Sequence, residues 1–370
     1  MNYNNANVNR NSNAKGNGFS VRCVKDCHSK GESVKPDSPL FIELHRAYID
    51  ARRNKRNTMN QLRFEKKLEA ELLALCNELE NRTYELRPGI CFINEVPVKR
   101  EIIAADFRDR VIHHFIYNRI YPVFDRQFIY DSYSCRVGKG TLFGVKRALG
   151  FAQACKSGWV LRLDIKGFFM AIDRGILFDL TMKGLRKSGR KISDLDEYLL
   201  SKVIFNDPMK NVSFRSHPSK WDGLPLDKSL RGSPPNCGLP IGNLTSQVFA
   251  NVYLNPLDHY VKRELKIKHY GRYVDDMVLM HSDKRVLINA ISSIRSFLSE
   301  KLKLTLHPKK IQLQPAAKGF GFLGAYVYPN GAVTGRRTLS HFRLAVFSPM
   351  SYEEKSKKVQ SYLGLMGHFR

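Results

Sequence analysis

The chain predicts an α+β fold, because helical and strand periodicities follow one another along it and neither dominates. Leu68, Leu72, Leu75 and Leu79 recur among Glu and Lys at the spacing of one helix face. Residues 89–104 alternate in the manner of a strand pair, with Pro97 at the bend. Further on, Gly271-Arg272 leads into Tyr273-Val274-Asp275-Asp276, and the chain exits through Met277-Val278-Leu279-Met280, an apolar hairpin with two adjacent acids at its tip.

Taken in order, residues 1–37 form a polar arm that starts with Asn2, Asn4, Asn5, Asn7, Asn9, Asn11 and Asn13. It has little to bury and is expected to be disordered or RNA-associated. Ser38-Pro39 supplies an N-cap and a first-turn proline, which opens a helix to about Arg53. After the Leu68–Leu79 helix and the strand pair, a helix over about 106–121 carries Ile112, Phe115, Ile116 and Ile120 near one face. His113 and His114 lie within it and are expected to be structural or RNA-facing rather than catalytic. The stretch 158–169 reads as a buried strand running into a turn, with a helix from about Asp173. Pro, Gly, Ser and Lys crowd 206–237, which reads as a long basic loop. A helix from Leu244 to about Leu265 precedes the acidic hairpin; a helix at 284–302, strands near 304–314 and 320–328 and a basic tail follow it.

At 370 residues, with 43% hydrophobic and 26% charged side chains, the chain can bury a large core as one composite body. Its formal net charge of +27 calls for a polyanion to screen it, and a phosphate backbone does so most directly. A membrane is not expected as partner: no apolar run approaches the ~18 residues of a spanning helix, and the polar start does not resemble a signal peptide. The seven cysteines are scattered and odd in number, as in a reduced cytoplasmic enzyme. Cys23-x-x-x-Cys27-His28 lacks a second ligand pair, so free thiols rather than a zinc site are expected there.

The chemistry lies in the carboxylates. Two adjacent acids on an apolar hairpin repel each other and lose hydration, which a chain tolerates where a divalent cation sits. A third acid, Asp164, stands upstream in Leu161-Arg162-Leu163-Asp164-Ile165-Lys166-Gly167-Phe168-Phe169. One Asp from a first strand plus an Asp pair from a second hairpin is the ligand set of a two-metal polymerase site.

Read as a set, the motifs from about Arg100 to Val327 resemble those of reverse transcriptases, in the same order. The resemblance implies a right-hand polymerase fold: N-terminal helices and fingers over 38–157, a palm with an antiparallel sheet over 158–332, and a minimal helical thumb over 333–370. It implies Asp164, Asp275 and Asp276 as catalytic, and Asp164, Ile165, Asp275 and Asp276 as the set holding two Mg2+ ions, with Mn2+ a possible substitute. One ion would lower the pKa of the primer 3′-hydroxyl while the other holds the triphosphate. Phe169 matches the bulky residue beneath the sugar that excludes a ribose 2′-hydroxyl; its neighbour Phe168 is expected in the core, as adjacent strand residues face opposite ways. In Asp131-Ser132-Tyr133-Ser134-Cys135-Arg136-Val137-Gly138-Lys139-Gly140-Thr141, Arg136 and Lys139 match the triphosphate contacts. His307-Pro308-Lys309-Lys310 matches the block whose lysine protonates pyrophosphate; Lys310 fits best and Lys309 is the fallback. Gly319-Phe320-Gly321-Phe322-Leu323-Gly324 resembles the primer grip, with Phe322, Leu323 and Gly324 at its end.

The block Gly238-Leu239-Pro240-Ile241-Gly242-Asn243-Leu244-Thr245-Ser246-Gln247 is the most discriminating. Most reverse transcriptases carry a glutamine before this glycine; here Ile241 stands in its place, with Gly242 and Gln247 completing the nucleotide-binding set. An aliphatic side chain cannot hydrogen-bond, so base selection rests more on packing. This form, together with the block around Arg136 and the terminal Ser361-Tyr362-Leu363-Gly364-Leu365, resembles reverse transcriptases of diversity-generating retroelements, which copy an RNA with errors at adenine. The implied partners are template RNA, the cDNA or primer, dNTPs, and a small basic helical accessory protein or other subunit. An antiphage defence enzyme working with a non-coding RNA remains the alternative, followed by retron and group II intron types. A scaffold without activity would leave the acids, Phe169 and Lys310 unexplained.

Overall fold

The computed structural model describes residues 38–53, 58–95, 98–210 and 212–369. The N-terminal arm, the Cys23–His28 segment and Pro97 lie outside the described residues. In chain order come α1 (Pro39–Arg52), α2 (Met59–Glu65), α3 (Leu68–Glu80), β1 (Gly89–Asn94), β2 (Arg100–Ala104), α4 (Phe107–Gln127) and α5 (Thr141–Ala154). Then follow β3 (Trp159–Leu163), α6 (Phe168–Ala171), α7 (Arg174–Lys187), α8 (Asp194–Phe205), β4 (Val212–Phe214), α9 (Leu244–His259), β5 (His269–Tyr273), β6 (Asp276–His281) and α10 (Lys284–Leu302). The chain closes with β7 (Gln312–Pro315), β8 (Phe320–Phe322), β9 (Ala325–Tyr328), β10 (Gly331–Thr334), α11 (Arg336–Phe347) and α12 (Tyr352–Met366).

The central sheet has the order β5-β6-β3-β7, antiparallel throughout. Both of its faces are covered, which is why Met277–Met280 reads as an unbroken apolar run. Met277 and Leu279 join Leu161 and Leu163 in the main core with α4, α9 and α10, whereas Val278 and Met280 join Val160 in a second core with α5 and the β8–β10 sheet. A smaller sheet, β2-β1-β4, pairs β4 in parallel with β1. The expected caps form: the Ser38 hydroxyl accepts from the Phe41 amide at 3.2 Å, and Asp173 caps α7.

The structure departs from the sequence expectation in physically instructive places. The 206–237 segment is fastened rather than loose. Glu101 on β2 is buried and accepts from Trp221 Nε1, the Ser229 hydroxyl and the Leu230 amide at 2.8–2.9 Å, so one carboxylate pins three points of a segment rich in turn formers. Strand 304–314 shrinks to β7, because 304–307 instead forms a bridge in which Leu306 faces Ile165. Helix α4 runs past the expected end to Gln127, with Pro122 inside it. The helix begun at Leu244 leaves α geometry at His259 and finishes as a π-turn over Tyr260–Glu264. Helices α2, α5 and α8 were not legible; α5 opens at Gly140 and α8 at the Ser193 capping box.

Candidate active site

The acids sit on a strained turn that a buried ion pair holds shut. Tyr273 and Asp276 are the last partners of the β5–β6 ladder, leaving Val274 and Asp275 as the two turn residues. Val274 has φ +55, a left-handed value that a β-branched residue adopts only under constraint. The constraint is Arg272. Its guanidinium donates to the Val274 carbonyl at 2.8 Å and to both oxygens of Asp258 at 2.8 and 2.6 Å, and the Tyr270 hydroxyl adds a bond to Asp258 at 2.6 Å. Arg272 and Asp258 are both fully buried. Burial works against the Arg272 charge, and Asp258 outweighs it, so the guanidinium pKa stays raised. Gly271 precedes it because any Cβ there would lie 2.2 Å from the Tyr133 hydroxyl. Residues 131–133 bond along β5 through the Arg272 amide and carbonyl, each at 2.9 Å.

The same ladder delivers the third acid. Leu163 pairs with Met277, so one step further along β3 Asp164 comes up beside Asp276. Burial, then the negative charge of Asp164, push the Asp275 carboxyl up to about 6. Burial pushes Asp276 up to about 6 as well; Arg162 opposes this and Asp164 adds to it. The trio is therefore one coupled electrostatic unit. Two cations reach into it: Lys310 Nζ lies 2.9 Å from Asp164 Oδ2, and Arg162 lies 3.5 Å from Asp276 Oδ1. Among the described residues no three of His, Cys, Asp and Glu already close into a ligand group. The donors are nonetheless all carboxylate oxygens sharing surplus negative charge, which suits a hard divalent cation. The donor set fits. Ile165 is buried, and the bridge to Leu306 uses the Asp164 carbonyl and the Lys166 amide, leaving the Ile165 carbonyl outside that bonding.

Phe168 is buried and Phe169 half-buried, but the reason differs from strand alternation: both open the short helix α6 after Gly167. Phe169 packs with Ile241 against a small cluster of Cys91, Ile103, Met170 and Leu230. The backbones interlock too, since the Leu239 amide donates to the Phe169 carbonyl at 2.8 Å and the Ile103 amide to the Ile241 carbonyl at 2.9 Å. Gly242 has φ +128 and would set a Cβ 2.9 Å from the Ile103 carbonyl, so only glycine lets this block lie against β2. Gln247 stands exposed on the first turn of α9, and Thr245 shares a 2.8 Å hydrogen bond with buried His113.

The 131–141 loop is less open than its sequence implies. The Arg136 side chain is buried and donates to Asp125 Oδ1 at 2.7 Å and to the carbonyls of Asp125, Ile129 and Ser132. Its guanidinium is committed within the protein. Lys139 donates to the Tyr130 carbonyl and sits 4.4 Å from the Tyr130 ring centre; burial lowers its pKa to about 8. Phe322 is buried in the second core, while Leu323 and Gly324, at φ +50 and +87, make the tight β8–β9 turn.

Sequence reasoning missed Arg162, Arg272 and Asp258. Arg162 lies two residues before Asp164 on β3, and strand alternation alone could have placed it on the same face; Asp258 offered no signal, being one acid in a long helix.

Residues 98–327 match the family of reverse transcriptases (RNA-dependent DNA polymerases). Protein YkfC of Escherichia coli (strain K12) is 24% identical over 304 residues, covering 72% of this chain and 73% of that protein. Two solved structures are similar at 11% identity. Apo telomerase from Candida Tropicalis aligns over 75% of this chain and 51% of its own at a TM-score of 0.48. Telomerase from Candida albicans, in complex with the TWJ fragment of telomeric RNA, aligns over 76% and 53% at 0.43. The chain spans little more than half the length of these telomerase chains.

Proposed function

The chain belongs to the reverse transcriptase (RNA-dependent DNA polymerase) family, and from that premise we propose that it copies a structured RNA of its own genetic element into cDNA, with errors at template adenines, as a diversity-generating retroelement enzyme. The fold is the right hand of polymerases, and the reaction is nucleotidyl transfer. The observation that carries the assignment of site residues is the coupled trio: Asp164 acts on both Asp275 and Asp276, and both are pushed up to about 6.

In this reading Asp164, Asp275 and Asp276 hold two Mg2+ ions, or Mn2+ in their place. When bound, the ions supply the charge that acidifies the primer 3′-hydroxyl and neutralises the triphosphate. Arg272 and Asp258 fix the turn so that Asp275 faces Asp164 at no cost of reorganisation. Lys310, now on Asp164, is the proton donor to departing pyrophosphate, with Lys309 its fallback. Lys139 transfers from Tyr130 to the triphosphate; Arg136 acts through the loop it shapes. Phe169 excludes the 2′-hydroxyl, and Ile241, packed on the same cluster, sets the nucleotide against its template base by shape. Gly242 and Gln247 flank that position, while Leu323 and Gly324 turn backbone toward the primer. The work is cytoplasmic and uses a small basic accessory protein.

The diversity-generating assignment rests on Ile241, an aliphatic side chain where a hydrogen-bonding one would discriminate bases. Sequencing cDNA made by the chain on an adenine-containing RNA tests it. Substitutions should concentrate opposite adenines and decline in Ile241→Gln. Faithful copying through adenines would remove this assignment, leave the polymerase intact, and favour a defence enzyme.

A further inference from the structure

Glu101 is a carboxylate that the proposed chemistry leaves without a part. It is 2% exposed on β2 and accepts from Trp221 Nε1 at 2.8 Å, the Ser229 hydroxyl at 2.9 Å and the Leu230 amide at 2.8 Å. All three donors are neutral. A carboxylate taken out of water is costly unless its oxygens are filled, so this one demands that all three points of the 221–230 segment stay in place. The Trp221 ring is held further. It meets the Phe214 ring of β4 edge-on at 5.6 Å, and the Arg231 guanidinium lies over both rings, 4.7 Å from Phe214 and 5.4 Å from Trp221.

The fastened segment backs the candidate site. Leu230 belongs to the small buried cluster with Cys91, Ile103 and Met170, and Phe169, Trp221 and Ile241 all pack on that cluster. The Leu230 side chain also lies against Gly238, so close that a Cβ there would sit 2.6 Å from it. Next along the chain, the Leu239 amide donates to the Phe169 carbonyl at 2.8 Å. Glu101 and Ile103 are alternate residues of β2 and share its buried face. The Ile103 amide donates to the Ile241 carbonyl at 2.9 Å. One strand therefore holds Ile241 directly and, through Glu101 and Leu230, holds the wall on which Phe169 rests.

We propose that Glu101 is a positioning residue for nucleotide selection. By clamping 221–230 it fixes how closely Phe169 and Ile241 approach each other, and so how much room the sugar and base of an incoming nucleotide find. A buried network of this kind is stiff while every donor is matched and loosens when one is not. The proposal rests on the reading above that Phe169 and Ile241 face that nucleotide, and it adds a residue that acts through them without touching it.

The test is single-nucleotide primer extension on an RNA template by the full chain, with kcat/KM measured for a dNTP and for the matching rNTP. Glu101→Gln keeps the size of the side chain but puts an NH2 group where one carboxylate oxygen accepted, so a donor of the clamp then faces another donor. The preference for dNTP over rNTP should fall about tenfold in this variant, with an absolute gain in efficiency on the rNTP. The gain separates positioning from mere support, because a variant that is only less folded loses efficiency on both nucleotides and keeps their ratio. Trp221→Phe removes one donor and retains the carboxylate; it should shift the ratio the same way by a smaller factor. An unchanged ratio in Glu101→Gln overturns the proposal, as does an unchanged ratio in Trp221→Phe should Glu101→Gln fail to fold. Phe169→Ala in the same assay reports the underlying reading. If Phe169→Ala admits ribonucleotides while Glu101→Gln keeps the wild-type ratio, the positioning role alone falls. If neither variant moves the ratio, the reading and the positioning role fall together.

Discussion

Two acidic groups of opposite character meet the β5–β6 hairpin, Asp258 reaching it from α9 and Asp275-Asp276 standing at its tip. Asp258, fully buried, is matched by Arg272 and Tyr270 with three short hydrogen bonds. Asp275 and Asp276 are crowded by Asp164 and by each other, and their carboxyls are pushed up to about 6. The first cluster is satisfied by the protein itself; the second is left in surplus. A fold tolerates a frustrated group where something else is to complete it, so the contrast separates structural charge from functional charge around one hairpin.

Breaking the satisfied cluster should have the largest effect on stability. Asp258→Asn leaves a buried guanidinium without its counter-ion and should cost about 3–5 kcal/mol in urea unfolding. Asp275→Asn should do the reverse. Because its folded pKa is raised from 3.8 to about 6, the carboxylate opposes folding above about pH 6, and that penalty disappears below about pH 4. The variant's stability relative to wild type, measured without divalent cations, should therefore rise between those two values. Buried His113, pushed down to about 3, has the opposite pH dependence, but it is common to both proteins and cancels. A variant less stable than wild type at neutral pH would break the comparison.

Mg2+ sharpens it. Added Mg2+ should raise the melting temperature of wild type and leave that of Asp275→Asn nearly unchanged, with the wild-type gain fading as pH falls through about 6, since the ligands must be deprotonated. Arg162 should have a smaller effect. Its guanidinium opposes the upward push on Asp276, and its Nε is buried without a partner. Arg162→Met should move the acid limb of the extension-rate profile to higher pH and slow extension about tenfold at neutral pH. At the small end, Phe169→Ala should admit ribonucleotides with little change in dNTP rate or stability; unchanged sugar discrimination would remove Phe169 from its assigned role.

The sequence made the acids legible because chemistry confined them to short apolar strands with glycine approaches, a pattern that local periodicity exposes. The helix at Pro39 was legible from its Ser38 cap, and those at Leu68 and Phe107 from apolar spacing, although the first turn at Leu68 has no side-chain cap. What remained hidden depended on distance in the chain. Glu101 fastens Leu230, and Arg272 meets Asp258 through the return of a long helix. Arg136 was expected from the resemblance as a triphosphate contact, whereas Asp125 and three backbone carbonyls enclose its guanidinium. Phe168 was placed inside correctly for an incorrect reason, since α6 is helical.

The most direct measurement is single-turnover primer extension on an RNA template with dNTPs and Mg2+, comparing wild type with Asp164→Asn and Asp275→Asn at matched RNA occupancy. The account predicts robust extension by the wild type and a loss of at least about a thousandfold in each variant, with RNA affinity retained because the basic surface carries it. Extension by either variant at a rate near wild type would contradict it.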